Sequence, residues 1–111
     1  MSEYKKKKKE RNEKLAETLA IAKEKERDYK VTRRILERQE KEKGKELLEQ
    51  GADRYGEIIM NFQEGYLKKI EVIDENFFKI AKKMNRKFFK IADKYNKELR
   101  ELKEKENKKN N

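Results

Sequence analysis

The chain of 111 residues contains no cysteine, histidine, proline or tryptophan and only four glycines. Without cysteine it forms no disulfide and has no thiolate nucleophile, and without histidine it lacks the usual general base. Both residues are also the common ligands of structural zinc. No glycine-rich phosphate-binding loop is present. The sequence therefore predicts a protein that is not an enzyme and that has no metal site and no cofactor.

Long hydrophobic runs are missing as well. A membrane-spanning helix needs about 18 or more apolar residues in succession, and no stretch of this chain approaches that length. The N-terminal residues carry a positive run but lack the apolar segment of a signal peptide. We expect a soluble, cytoplasmic protein.

Charge is abundant instead. Lys and Arg number 33 against 23 Asp and Glu, so the net charge is +10, and half of all residues are charged. Because charged side chains are rarely buried without a partner, a core of ordinary size is not expected, and one domain is the upper limit. Good helix formers make up most of the remainder, so helix is the default structure.

The apolar residues support this expectation. Between Leu48 and Leu102 they recur at intervals of three and four residues, which is a helical pattern. The segment Phe77–Ala81 returns eleven positions later as 88–92, and an eleven-residue repeat corresponds to a straight or slightly right-handed supercoil. We predict an all-α fold of long amphipathic helices in a helical hairpin or coiled-coil-like bundle that is oligomeric.

Four segments are predicted along the chain. They are a basic mobile tail at 1–9, a first helix at 10–43, a second helix at 45–106 and a disordered tail at 107–111. Gly44 is expected to adopt the left-handed conformation that ends a helix. Gly51 and Gly56 are interpreted as places where a neighbouring backbone approaches the second helix closely. A break near Gly65, which would give three helices, is left open as an alternative.

The segment 77–97 has two distinct faces when it is placed on a helical wheel. One half of the circumference is apolar, and it is wider than the seam of a two-stranded coiled coil. We therefore expect it to contact a partner or another copy of the chain. The candidate interface residues are Phe77, Phe78, Met84, Phe88, Phe89 and Tyr95.

The other half is basic, and further basic residues lie near the N-terminus. Such clusters attract nucleic acid because each neutralised phosphate releases condensed counterions. Arginine is scarce among them, so base reading is not expected and binding should depend weakly on sequence. The candidate nucleic-acid-binding residues are Lys5, Lys6, Lys7, Lys8, Lys9, Arg33, Arg34, Lys79, Lys83, Arg86, Lys87, Lys90, Lys94 and Lys97.

The sequence does not distinguish DNA from RNA as the nucleic acid that is bound. Three other interpretations of these residues compete with nucleic-acid binding. The aromatic face of 77–95 also suits a protein-binding regulator or inhibitor encoded by a phage or plasmid. Phenylalanine opposite lysine suits a membrane surface, although aromatic residues at helical spacing more often form a core. The basic face is also typical of a solvated helix. We favour nucleic acid as the partner.

Two short segments resemble a known family. Thr32-Arg33-Arg34-Ile35-Leu36-Glu37 resembles the Thr-Arg-Arg-Leu-Ile segment of small helical mobilisation and conjugal-transfer accessory proteins of bacterial plasmids and transposons. Leu47-Leu48-Glu49-Gln50-Gly51-Ala52 is similar to the Gly-Ala step that follows it in that family, although here Arg38–Glu46 separates the two pieces. The resemblance implies a non-enzymatic protein that binds DNA beside a relaxase, with Arg33 and Arg34 as phosphate contacts.

Overall fold

The structure, a computed structural model, describes residues 2–109. It contains two long helices, α1 (Glu3–Glu49) and α2 (Glu57–Lys109), which pack against each other as a hairpin. No strand occurs among residues 2–109. The predicted all-α helical hairpin is therefore confirmed. Over the same residues, neither helix has an apolar stretch long enough to cross a membrane.

Helix α1 begins seven residues before its predicted start. Ser2 is its N-cap, because the Ser2 hydroxyl accepts a hydrogen bond from the Lys5 backbone N–H at 3.2 Å. Glu3 in the first turn adds a favourable interaction with the helix dipole. As a result Lys5 to Lys9, which the sequence suggested as a tail, are helical, while Met1 lies outside the described residues.

The C-terminus of α1 is set by hydrogen bonds around Gly51. This glycine has a φ of 96°, in the left-handed region, and its N–H donates to the Leu48 carbonyl at 3.1 Å. The N–H of Ala52 donates to the Leu47 carbonyl at 3.0 Å, which completes a Schellman motif. The prediction that the first helix ends at Gly44 is wrong. That residue lies inside α1, beside the ring of Phe62.

The turn between the helices is compact and has its own capping bonds. Asp53 accepts hydrogen bonds from the backbone N–H groups of Tyr55, at 3.2 Å to its side chain, and of Gly56, at 2.9 Å to its carbonyl. A Cβ atom at Gly56 would lie only 3.0 Å from the Cβ of Asp53. The close approach expected at Gly56 therefore exists, but it is made by the turn itself. Gly51 and Gly56 flank the turn and do not lie within a second helix as predicted.

Helix α2 runs without a break through Gly65, so the alternative of three helices is excluded. Its last turn carries Lys108 and Lys109, where positive charge suits the helix dipole. The predicted tail at 107–111 is thus helical as far as Lys109. Asn110 and Asn111 lie outside the described residues.

The covered positions on each helix follow an eleven-residue rhythm. On α2 the buried or half-buried positions fall at intervals of three, four and four residues, so the repeat seen in 77–92 extends through the helix. On α1 the same intervals hold, but several of the positions are polar. Among residues 2–109 the buried residues are few: Ile59, Ile70, Tyr95, Leu99 and the polar Thr18.

The chain divides into two compact units. The terminal unit is described over 2–24 and 81–109, and the turn unit comprises 25–80. Each contains a piece of α1 packed against a piece of α2. In the terminal unit Arg11 bonds to Asn96 and Lys7 pairs with Glu98, so the two pieces run antiparallel.

Alanine substitutions at two glycines should have opposite effects on stability. Gly65 is helical and has no heavy atom within 4 Å of where a Cβ would lie, so Gly65→Ala should raise the free energy of unfolding by about 0.5–1 kcal/mol. Gly51→Ala forces alanine into the left-handed region and should lower it by about 1 kcal/mol or more.

Urea unfolding followed by circular dichroism measures both effects. A destabilised Gly65→Ala variant would show that the helix at this position has a neighbour that the two-helix hairpin lacks. An unchanged Gly51→Ala variant would contradict the assignment of the helix end.

Candidate functional site

The net charge of the protein is confined to one of its two units. Residues 1–24 and 81–111 carry 20 Lys and Arg against 10 Asp and Glu, a net charge of +10. Residues 25–80 carry 13 of each kind and are neutral overall. All the charged side chains lie within the described part of the chain. Any attraction to a polyanion should therefore be concentrated in the terminal unit.

The largest group of basic side chains lies on α2. All of its members are exposed, and among residues 2–109 none of them forms an ion pair. Asp93 is the only acidic residue between 77 and 97. We call the part of this group in the terminal unit the basic face, and it consists of Lys83, Arg86, Lys87, Lys90, Lys94 and Lys97. The remaining candidate, Lys79, is an exposed residue of the turn unit.

The N-terminal lysines are divided between solvent and the helix contact. Lys7 is half-buried, and its Nζ lies 2.9 Å from Glu98 Oε2 and 5.5 Å from the centre of the Tyr95 ring. The hydrogen bond to Glu98 raises the pKa of Lys7 above its usual value. The remaining candidates in this run are exposed: Lys5, Lys6, Lys8 and Lys9.

Tyr95 holds the N-terminal turns of α1 against α2. Only 4% of its surface is exposed, and its hydroxyl donates to Glu10 Oε1 at 2.8 Å. That hydrogen bond, together with burial, raises the pKa of Tyr95. At the next residue of each helix, Arg11 Nη1 donates to Asn96 Oδ1 at 2.7 Å. These contacts bring the exposed N-terminal lysines and the basic face of α2 into one unit.

Arg33 and Arg34 have different surroundings. The Nε atom of Arg33 is buried and lies 3.5 Å from Asp74 Oδ1. The same carboxylate accepts a hydrogen bond from the Tyr29 hydroxyl, which raises the pKa of Tyr29, and the Tyr29 ring stacks on Phe77 with centroids 4.2 Å apart. Arg33 thus contributes to the helix contact of the turn unit, and Arg34 alone of this pair is exposed.

The aromatic residues and Met84, which the sequence suggested as a partner interface, also fall into two classes. One class is covered within the hairpin itself: Tyr95 is buried, and Phe77, Met84 and Phe88 are half-buried. The other class consists of Phe78 and Phe89, which are 65% and 62% exposed. Much of the apolar face that the sequence assigned to a partner or another copy of the chain is therefore covered by α1 of the same chain.

Some residues of the terminal unit were not anticipated from the sequence. A groove between the two helices contains three basic residues that the sequence did not mark as candidates, Arg11, Arg100 and Lys103, and it also contains Tyr4, Asp93, Asn96 and Leu99. For Arg11 a signal was present in the sequence, because Lys7, Arg11 and Thr18 continue the three-and-four spacing of the apolar residues on α1 with polar residues.

Over residues 2–109 no group of three or more acidic side chains is placed to hold a metal ion. What the terminal unit offers chemically is a set of exposed ammonium and guanidinium groups on a helical frame.

The surroundings of three tyrosines and Lys7 should make the folded protein less stable at alkaline pH. Because the folded state raises the pKa of Tyr29, Tyr66, Tyr95 and Lys7, it favours their protonated forms. Their contribution is complete below about pH 10 and is lost as the pH rises through the folded-state values. We expect the free energy of unfolding to fall as the pH rises above about 10.

Replacing Tyr95 by Phe removes one of these groups, so the fall with pH should be shallower than in the parent chain. Glu10→Gln should act in the same direction because it removes the charged acceptor. Urea unfolding at a series of pH values measures the slope. A Tyr95→Phe variant with the full parental slope would exclude the Tyr95–Glu10 bond as a cause.

The chain matches no protein-family model, no curated protein and no solved structure. The assignment of a function therefore depends on the geometry and charge of the terminal unit.

Proposed function

We propose that the protein is a non-enzymatic accessory protein that binds nucleic acid through the basic face and the exposed N-terminal lysines of its terminal unit. The observation that carries this proposal is the separation of charge: the terminal unit holds the whole net charge of +10, and the turn unit has none. A polyanion is the partner that rewards such a concentration, because each phosphate contact releases counterions.

The length of the basic face suits an extended polymer. Lys83 and Lys97 are 14 residues apart, or about 21 Å along a helix, over which duplex DNA presents roughly twelve phosphates. Because no acidic side chain among residues 2–109 pairs with these cations, they need not break an ion pair before binding.

The chemistry of the face favours contacts to the backbone over contacts to bases. Lysine is a point charge on a flexible stem, whereas base reading in the major groove relies on the planar fork of arginine or the amide of asparagine. Arg86 is the only arginine of the face. Binding is therefore weakly dependent on sequence, and it serves to position the protein on the polymer.

The resemblance of 32–37 and 47–52 to mobilisation accessory proteins supports a role on the DNA of a plasmid, transposon or phage, and such a role would be in the cytoplasm. Arg33 carries little of it, because Asp74 occupies that side chain. Arg34 remains the exposed candidate of the pair.

A second candidate function is protein binding or self-association through Phe78 and Phe89. It is favoured by their exposure, since large apolar side chains in water mark interaction sites when they form a patch. Salt distinguishes the two candidates. Phosphate binding weakens steeply as salt rises, whereas an apolar contact does not.

A pair of charge-matched variants tests the location of binding. Lys83, Lys87, Lys90 and Lys94 are replaced by Gln in the terminal unit. The control replaces Lys25, Lys41, Lys45 and Lys69, which are exposed lysines of the turn unit without ion pairs among residues 2–109. Both variants lower the net charge from +10 by the same amount.

We expect the first variant to bind nucleic acid more weakly and to reduce the slope of log affinity against log salt by up to about four, while the control keeps a slope near that of the parent. Fluorescence anisotropy at several salt concentrations measures both, and circular dichroism checks that the helices remain. Equal losses in the two variants would mean that only total charge matters and would contradict a specific basic face. No loss in either would favour protein binding.

A further inference from the structure

Phe89 is an exposed aromatic ring within the most highly charged part of the protein. Its side chain is 62% exposed, although it belongs to the terminal unit with its net charge of +10. The ring meets Phe88 edge to face, with centroids 5.8 Å apart and planes at 90°. Since Phe88 is half-buried in the helix contact, Phe89 is supported by a fixed neighbour and still presents most of its surface to solvent.

The neighbours of Phe89 on α2 are largely basic. Arg86 lies three residues before it and Lys90 directly after it, and both are exposed members of the basic face. Residues three or four apart on a helix are surface neighbours, so Arg86 and the ring of Phe89 share one patch. Asp93, four residues after it, is the only acidic residue within four positions of Phe89 on α2.

Phe78 provides an internal comparison because it occupies the same place in the eleven-residue repeat. Its exposure of 65% is close to that of Phe89. Lys79 follows it as Lys90 follows Phe89, but its preceding helical turns carry Glu71, Asp74 and Glu75, and its unit is neutral overall. The two rings therefore match in size and exposure but differ in the charge around them.

We propose that Phe89 is a stacking platform for a base and that the terminal unit binds single-stranded nucleic acid in preference to duplex. In a duplex the faces of the bases are stacked on each other, so an aromatic ring on a helix surface finds only edges and backbone. A single strand exposes base faces, and its binding sites combine aromatic rings with cationic side chains that hold the phosphates. The pairing of Phe89 with Arg86 and Lys90 has both elements.

This inference rests on the proposed function, since stacking at Phe89 requires that the polymer already be held by the basic face. It adds the class of substrate. Stacking on a ring is tolerant of sequence because every base has a π-face, which agrees with the scarcity of base-reading side chains on the basic face. A duplex would contact the lysines through its phosphates, and Phe89 would make no stacking contact with its bases.

The test compares three variants of the full chain, Phe89→Ala, Phe89→Trp and Phe78→Ala, against two fluorescent probes, an oligothymidylate and a duplex of equal length. We expect Phe89→Ala to weaken binding of the oligothymidylate by about 5- to 100-fold and to leave duplex binding and the salt slope unchanged. Phe78→Ala should leave both probes unaffected, although it removes the same ring from an equally exposed position.

The tryptophan variant adds a direct readout, because the parent chain contains no tryptophan. Phe89→Trp should bind the oligothymidylate at least as tightly as the parent, and its single indole should be quenched when that probe is added. Quenching by the duplex to the same extent would overturn the preference for single strands.

Other outcomes separate failure of the inference from failure of the proposed function. Salt-dependent binding of both probes that Phe89→Ala does not weaken overturns the stacking role and leaves the proposed function standing. Absence of salt-dependent binding to either probe overturns the proposed function as well. A parent dimer in sedimentation that Phe89→Ala converts to monomer, with no change in affinity for the oligothymidylate, overturns the inference and assigns the ring to self-association.

Discussion

The apolar face of α2 has to be covered, and α1 covers it with a stripe that is only partly apolar. Thr18, Lys7 and Arg33 occupy positions on α1 that a purely hydrophobic seam would give to leucine. Thr18 donates a hydrogen bond to the Lys14 carbonyl at 3.0 Å, Lys7 forms an ion pair with Glu98, and Arg33 forms an ion pair with Asp74, although the buried Nε of Arg33 makes no hydrogen bond within residues 2–109. These contacts offset part of the cost of placing polar and charged side chains in the helix contact.

The polar matches also restrict how the helices slide past each other. An eleven-residue repeat by itself permits a shift of one whole repeat, since apolar residues would again meet apolar residues. Such a shift would separate Arg33 from Asp74 and Tyr95 from Glu10, so the buried Nε of Arg33 and the buried side chain of Tyr95 would lose these partners. The register is thus held by a few polar contacts, while the apolar contacts supply most of the burial.

Much of the fold could be predicted from the sequence, for physical reasons. Because the chain has no proline and its apolar residues recur at intervals of three and four, long helices are the structure that buries these residues. The apolar spacing continues without a shift on both sides of Gly65, so the helix continues through that residue. The place of the turn could not be predicted in the same way. Gly44 and Gly51 are both glycines in charged surroundings, and only the carbonyls of Leu47 and Leu48 decide that Gly51 ends the helix.

The candidate site shows the same division. Exposure of the basic face could be predicted because these side chains lie on the side of α2 opposite its wide apolar face. When the apolar face is buried against α1, the opposite side faces solvent. The fate of single cations could not, since it depends on contacts distant in sequence: Lys7 meets Glu98, and Arg33 meets Asp74. Likewise the helical wheel placed Phe88 and Phe89 together, and only the position of α1 shows that Phe88 is half-covered and Phe89 exposed.

The concentration of like charge in the terminal unit has a consequence for folding itself. Twenty cations and ten anions share one unit of two helix segments, so that unit repels itself, whereas the neutral turn unit does not. Added salt should therefore screen the repulsion and stabilise the terminal unit. Under the proposed function, the same salt would weaken binding to a polyanion, and a bound polyanion would relieve the repulsion without added salt. Ionic strength would then act on folding and on binding in opposite directions, and the terminal unit would be most stable when a polyanion is bound to it.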